Sequence, residues 1–262
     1  MPRGLACYTS WAMRVFVILP AAGIGTRMSL GSTGGATPKQ FLAIAGVPVL
    51  VHCLRAFLAV ERVEAVYVAV RRPEIERVAA LVEEYGLGAS GASKVRVVEG
   101  GENRQQSVGN ALTQLIGETG CAEDDVVLVH DAARPLIEPA IVERTIDAVV
   151  ERGAAIVGLP AVDTIKQVER TAYGAIVTAT IPRERIVLAQ TPQGARCGLL
   201  RRAFAEAEAD EFAGTDEASL LERAGSVVAV VPGSPRNFKI TQPGDLELAE
   251  FYLQTTTADK RG

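Results

Sequence analysis

Two stretches of this sequence carry residue types that could hold a polyphosphate. Residues 20–28 read PAAGIGTRM, directly after the apolar run Val15–Leu19, and residues 37–41 read TPKQF. Glycines in such a loop free backbone N–H groups to wrap phosphate oxygens, and Arg27 and Lys39 supply two cations. The spacing excludes two common alternatives. A dinucleotide fingerprint needs a third glycine where Met28 stands, and a Walker loop needs Ser or Thr after its lysine, where Gln40 follows Lys39. The pattern points to a triphosphate cradle in which charged side chains reach in from a long loop.

Further candidates follow other apolar runs. Asp131 ends VVLVHDAARP (126–135), where a carboxylate can reach a divalent cation held by phosphates. A lone Asp there would serve as a turn cap; Arg134 beside it and glycine loops at the same edge favour the ligand role. His130, closing a buried strand, reads as a hydrogen-bonded structural residue. Gly100-Gly101-Glu102-Asn103-Arg104 and Ser107 form a helix entry whose glycines allow close backbone approach to a ligand. No nucleophile–base pair stands out. A phosphate monoester acceptor needs none, because its second pKa is near ~6 and it is already an anion at neutral pH. Catalysis then reduces to positioning and charge neutralisation.

The elements that must position these residues alternate along the chain. Strands are expected at Val15–Leu19, Val63–Val70, Val95–Val98, Val126–His130 and Ala154–Leu159. Helices are expected at Val47–Leu58, Pro73–Glu84, Gln105–Ile116 and Pro139–Val150. Such βαβ alternation implies a mostly parallel sheet with helices on both faces and every strand-to-helix loop at one edge. The Gly23 loop, the Gly101 loop and Asp131 should converge there. After Leu159 the pattern breaks: Thr164–Glu169 and Ala175–Thr180 flank Gly174 as a β-hairpin, marginal alone in water and expected to pack on another subunit. Helices at Leu199–Ala209, Glu217–Ala224 and Pro243–Leu253 and a strand at Val227–Val231 complete the chain.

Bulk properties agree. The chain has 262 residues, 48% hydrophobic and 22% charged, with a net charge of −4, enough for one sizeable α/β domain without the basic excess of a duplex nucleic-acid binder. Four scattered cysteines and two histidines make no zinc site at usual spacings and suit a reducing cytoplasm. No apolar run approaches the ~20 residues of a membrane span. Residues 1–13 read as a disordered extension, 14–254 as a single domain with a hairpin arm at about 161–184, and 255–262 as a tail.

With these residues assembled, the chain resembles the 2-C-methyl-D-erythritol 4-phosphate cytidylyltransferases, CTP-dependent enzymes of the non-mevalonate isoprenoid pathway. The resemblance runs from about Met13 to Leu253 and rests on PAAGIGTRM, TPKQF, EGGENRQQSV, VHDAARP, DTIK, QTPQ, TDEAS and NFKIT, in that order. It implies a Rossmann-like nucleotidyltransferase α/β sheet, mostly parallel, with an inserted β-hairpin arm for dimerisation. It implies that Ala21, Ala22, Gly23, Gly25, Gly101, Glu102 and Ser107 hold the cytidine nucleotide. Arg27, Lys39 and Lys239 would be the catalytic cations, and Asp131 would help place Mg²⁺. Arg134, Thr191 and Thr215 would line the acceptor site, with Thr164 and Arg183 reaching a neighbouring subunit's acceptor in a cytoplasmic homodimer. The stretch Gly31–Thr37 lengthens the loop before Lys39 relative to the family pattern. A sister ribitol-5-phosphate cytidylyltransferase and a non-catalytic nucleotide-binding module are the competing readings; loss of Arg27, Lys39 or Asp131 would mark the latter, and all three are present.

Overall fold

The computed structural model describes residues 13–23, 38–88 and 94–259, with side chains to 255. Arg27, Gly25, the Gly31–Thr37 stretch and residues 1–12 lie outside the described residues.

The first strand, β1 (Val15–Pro20), is buried on both faces. Its side chains alternate between two cores: Val15, Val17 and Leu19 enter one, and Phe16 and Ile18 enter the other. A small antiparallel pair, β2 (Ala43–Ile44) and β3 (Val47–Pro48), precedes α1 (Val49–Leu58). The expected helix at Val47 therefore starts two residues late. Val47 and Pro48 are spent on the ladder with Ala43 and Ile44, and Pro48 takes the extended N-cap position. There follow β4 (Val63–Val70), α2 (Ile75–Glu84), β5 (Val95–Glu99), α3 (Arg104–Thr119), β6 (Val126–Val129), α4 (Pro139–Arg152) and β7 (Ala154–Pro160). Strands and helices fall where the apolar periods put them, within a few residues. Pro139 opens α4, where its missing N–H has no helical partner to lose.

The hairpin also forms, as β8 (Ile165–Thr171) and β9 (Gly174–Ile181), with Gly174 at φ +131° beside the turn. It is a separate two-stranded sheet, and Val168, Tyr173, Ile176 and Val177 stand exposed on it. The chain then returns in a strand that the sequence reading omits, β10 (Val187–Arg196). Its segment QTPQG mixes polar residues, proline and glycine, a composition typical of turns. It is accommodated because the ladder to β7 is irregular between Gln190 and Gln193. At Gly194 any Cβ would meet Leu128 Cδ2 at 2.4 Å and the Val127 carbonyl at 3.0 Å. Last come α5 (Cys197–Ala209), α6 (Glu217–Arg223), β11 (Ala229–Pro232) and α7 (Gly244–Asp259), the final helix running past the expected Leu253.

The seven-stranded sheet has the order β11-β7-β10-β6-β1-β4-β5. Every pairing is parallel except those of β10, which is antiparallel to both β6 and β7. α1, α2 and α4 cover one face through residues such as Phe57, Val78 and Ile146. α3, α5 and α6 cover the other through Leu115, Leu200 and Leu221. The winding reverses at β1: β4 and β5 lie to one side, and the chain then crosses back to place β6 on the other. Ligands of open α/β sheets sit at such a reversal, at the carboxyl ends of the strands.

At the opposite edge, Asp125 clamps the starts of β1 and β6. Its carboxylate accepts from Arg14 Nη2 at 2.7 Å, from Arg14 Nε at 3.0 Å and from the Ala122 N–H at 2.8 Å. Burial alone would push this carboxyl up; the Ala122 N–H and Arg14 hold it below the usual range. A depressed folded-state value means its stabilisation is complete above the unfolded value of about 4 and is lost as pH falls through the folded value. Asp125→Asn should therefore lower the urea-unfolding free energy by roughly 2 kcal/mol near neutrality. The gap to wild type should shrink below about pH 4, and a gap independent of pH would contradict this origin.

Candidate active site

Three strand ends and one returning segment meet at the reversal point. They enclose a cleft of about 280 Å³, lined among the described residues by Pro20–Gly23, Lys39, Gln40, Gly101–Arg104, Ser107, Asp131–Ala133 and Lys239. Of the residues expected to act, Ala21, Ala22, Gly23, Lys39, Gly101, Glu102, Ser107, Asp131 and Lys239 all border this one space.

The floor is backbone, held tightly. The Ala21 N–H donates to the Ala69 carbonyl at 2.7 Å, and Gln40 Nε2 donates to the Ala21 carbonyl at 2.7 Å. The facing loop depends on its glycines. A Cβ on Gly100 would lie 3.0 Å from Ala22 Cβ, and one on Gly101 would lie 2.3 Å from Gln106 Cβ. Ser107 pins this loop: its hydroxyl accepts from the Gly101 N–H at 3.0 Å and donates to the Asn103 carbonyl at 2.8 Å. Asn103 caps α3 by accepting from the Gln106 N–H at 2.9 Å.

Asp131 is the centre of the charged wall. Lys239 Nζ donates to Oδ2 at 2.9 Å, Arg104 Nε donates to Oδ1 at 3.1 Å, and Arg134 Nε stands 3.5 Å from Oδ2. Burial alone would push its carboxyl up; Arg104, Lys239 and Arg134 together hold it far below the usual carboxylate range. It is an anion at any physiological pH. Arg104 in turn grips the fully buried Glu217 with both terminal nitrogens, at 2.7 and 2.8 Å. Burial pushes the Glu217 carboxyl up, and Arg104 opposes that push. The cluster thus holds three cations against two carboxylates, a surplus suited to a polyanion.

Behind Asp131 the geometry fixes a tautomer. His130 is wholly buried, and burial lowers its pKa to about 4, so the ring is neutral near pH 7. Its Nε2 stands 3.1 Å from the Arg134 carbonyl, which can only accept, so Nε2 carries the proton. Nδ1 is then an acceptor for the Thr191 hydroxyl at 3.0 Å, and that hydroxyl also accepts from the Asp131 N–H at 3.1 Å. The structural role read for His130 fits this geometry. β10 makes the bond possible. It runs against its neighbours with Gln193 opposite Val129, so Thr191, two residues earlier, stands at the carboxyl end of β6.

The residues expected at the acceptor are less gathered. Arg134 lies behind Asp131, its Nη1 donating to the Asn237 carbonyl at 2.8 Å. Thr191 is buried, its hydroxyl engaged with His130 and Asp131. Thr215 is exposed just ahead of Asp216, the residue that caps α6. Thr164 and Arg183 are exposed at the base of the hairpin, with Arg183 Nη1 donating to the Val162 carbonyl at 2.7 Å; neither lines this chain's own cleft. Arg104, Glu217, Asn237 and Gln40 are among the polar residues of this site to which the sequence alone gives no role. Arg104 and Glu217 stand inside quoted motifs, but nothing in a linear motif says that residues 113 positions apart are paired.

A reversal-point cleft with a glycine-built floor and a cationic wall is that of a nucleotidyltransferase. Residues 15–255 match the family described as IspD: 2-C-methyl-D-erythritol 4-phosphate cytidylyltransferase, and the chain belongs to that family. Its relatives include the protein of that name from Acidobacterium capsulatum, 70% identical over 242 residues, covering 92% of this chain and 98% of that one. The Solibacter usitatus protein is 49% identical, over 94% of this chain and 98% of its own length. The crystal structure of the Francisella tularensis protein superposes with a TM-score of 0.71 at 34% identity, covering 91% of this chain and 99% of that one.

The floor geometry gives a direct test. Gly101→Ala must displace the loop from α3, because the new Cβ would meet Gln106 Cβ and, at 3.0 Å, its backbone carbon. We expect the KM for nucleotide to rise about tenfold or more, given how steeply misplacement of bound groups is penalised. An unchanged KM would show that the loop does not contact the nucleotide.

Proposed function

We propose that this cleft joins CTP to 2-C-methyl-D-erythritol 4-phosphate, giving CDP-methylerythritol and pyrophosphate for isoprenoid biosynthesis. A phosphate oxygen of the acceptor attacks the α-phosphorus of CTP; the new P–O bond forms as the bond to pyrophosphate breaks. No proton needs to be removed, since the attacking phosphate is already an anion. The observation that carries this reading is the convergence of both glycine loops with Lys39, Arg104 and Lys239 around ionised Asp131.

In this reading Ala21, Ala22, Gly23 and Gly101, with Ser107 bracing the loop and Glu102 at the rim, hold the nucleotide largely through backbone. Lys39 and Lys239 meet the charge that grows on the phosphates, a role shared with Arg27, while Gly25 joins the residues that hold the nucleotide; Arg27 and Gly25 lie beyond the described residues. Lys39 Nζ now donates to the Ile240 and Thr241 carbonyls at 3.3 and 3.1 Å, beside Lys239, so both amines approach from one side. Arg134 and Thr215 serve the acceptor, and Thr191 does so by steadying Asp131.

Asp131 fits a Mg²⁺ ion of a particular kind. Among the described residues no group of three or more His, Cys, Asp or Glu side chains could cage a metal. A single permanently ionised carboxylate at the cleft wall suits an ion that takes its other ligands from phosphates and water. Held by Asp131, Mg²⁺ would supply charge neutralisation on the triphosphate.

The hairpin supports a homodimer. Among the described residues β8 and β9 pair only with each other and leave Tyr173, Ile176 and Val177 exposed, an arrangement that is marginal without a partner surface. A second copy would cover it, bringing Thr164 and Arg183 to the neighbour's acceptor. Among the described residues no helix is long and apolar enough to cross a membrane. Free Cys53, Cys121 and Cys197 suit a reducing cytoplasm.

Purified protein with CTP and Mg²⁺ should release pyrophosphate with methylerythritol phosphate at a kcat/KM well above that with ribitol 5-phosphate; the reverse preference would refute the acceptor. Arg183→Ala and Lys39→Ala should each be inactive alone and regain activity when mixed and allowed to exchange subunits. Each mixed dimer then has one site carrying both native residues. Confirmed exchange without recovery, or a monomer at working concentration, would refute the shared site.

A further inference from the structure

Glu217 has no place on the cleft wall, yet its carboxylate is anchored with unusual care. It is the first residue of α6 and is 1% exposed. The helix start is fixed from two sides. Asp216 accepts from the Ser219 N–H at 3.0 Å. Gln193 of β10 accepts from the Ala218 N–H at 2.9 Å and donates to Asp216 at 2.8 Å. A carboxylate rooted in this way presents both oxygens to the Arg104 fork, at 2.7 and 2.8 Å. Two parallel bonds fix the plane of a guanidinium as well as its position, which a single bond or a point charge does not. The third nitrogen, Nε, is then aimed at Asp131 Oδ1 at 3.1 Å.

We propose that Glu217 is a positioning residue for the transfer reaction. Through its bidentate grip it sets the plane of Arg104, and through Arg104 it sets the direction in which Asp131 faces the cleft. This rests on the reaction proposed above. A purely structural Glu217 would staple α6 to α3 and have no bearing on turnover per folded site. A positioning Glu217 acts on turnover only while Arg104 is there to transmit it.

The two roles separate in a double-mutant cycle of Glu217→Gln and Arg104→Gln, with kcat and KM for CTP measured per CTP-binding site, the sites being counted by calorimetric titration. We expect Glu217→Gln to lower kcat per site about tenfold or more, with KM for CTP changed by less than about threefold and one site per chain retained. In the Arg104→Gln background the same change should alter kcat less than about twofold. A Glu217→Gln kcat per site equal to wild type overturns the proposal, as does an equal loss in both backgrounds. Should Glu217→Gln fail to fold, Glu217→Asp decides, because it keeps the charge beside Arg104 while its shorter arm cannot hold both terminal nitrogens in the same plane. Its kcat per site should fall about tenfold with KM for CTP nearly unchanged, and a wild-type kcat per site overturns the proposal. Wild-type turnover is the control: an active wild type with an unaffected Glu217→Gln removes this inference and leaves the reaction standing.

Discussion

One carboxylate among three cations organises this end of the molecule. Asp131 draws Arg104 from α3, Arg134 from its own loop and Lys239 from the segment before α7 to a single point. Each of these cations near a cleft would repel the others if left alone. Asp131 makes their convergence favourable, at the price of burying its own charge, and their combined field keeps it ionised. Truncation of such a group leaves unpaired buried charge, so its influence extends beyond the bonds it makes. With Glu217 counted beside Asp131, the cluster keeps one positive charge in excess, the sign a triphosphate requires.

The sheet supplies what the cluster cannot. β6 ends at Val129, and its next residue, His130, still donates its N–H to the Ile18 carbonyl of β1, so the ladder runs up to the residue before Asp131. The antiparallel β10 then locks Asp131 from the side through the Thr191 hydroxyl and the neutral His130 ring. Asn237, wholly buried, donates to the Thr191 carbonyl at 2.7 Å and so ties the segment bearing Lys239 to the same strand. Rigid elements thus hold each member of the cluster, which is how a site keeps the sub-ångström placement that phosphoryl chemistry needs.

Much of this is legible in the sequence, for identifiable reasons. Parallel strands buried on both faces are continuous apolar runs, so Val15–Leu19 and Val63–Val70 declare themselves, and the loops at their ends follow from topology. That is enough to bring Gly23, Gly101 and Asp131 to one edge. β10 stays hidden because its central residues Gln190, Thr191 and Gln193 are polar yet buried, each satisfied by partners far along the chain, such as Ser234, His130 and Asp216. Burial of a polar residue depends on those partners, and no local pattern reveals them. The Arg104–Glu217 pair is hidden for the same reason. Thr164 and Arg183 stand away from their own cleft, as the hairpin pattern and the family resemblance lead one to expect.

The dependence on Asp131 can be measured directly by replacing it with the isosteric Asn and following CTP binding by calorimetry alongside single-turnover rates. Removing the anion frees Lys239 and Arg104 to pair with ground-state phosphates while losing the placement that serves the transition state. We expect CTP without Mg²⁺ to bind Asp131→Asn at least as tightly as wild type, with the Mg²⁺-dependent transfer rate reduced by about 10²–10³. A rate within a fewfold of wild type, or a loss confined to CTP affinity, would contradict the central place given to this carboxylate.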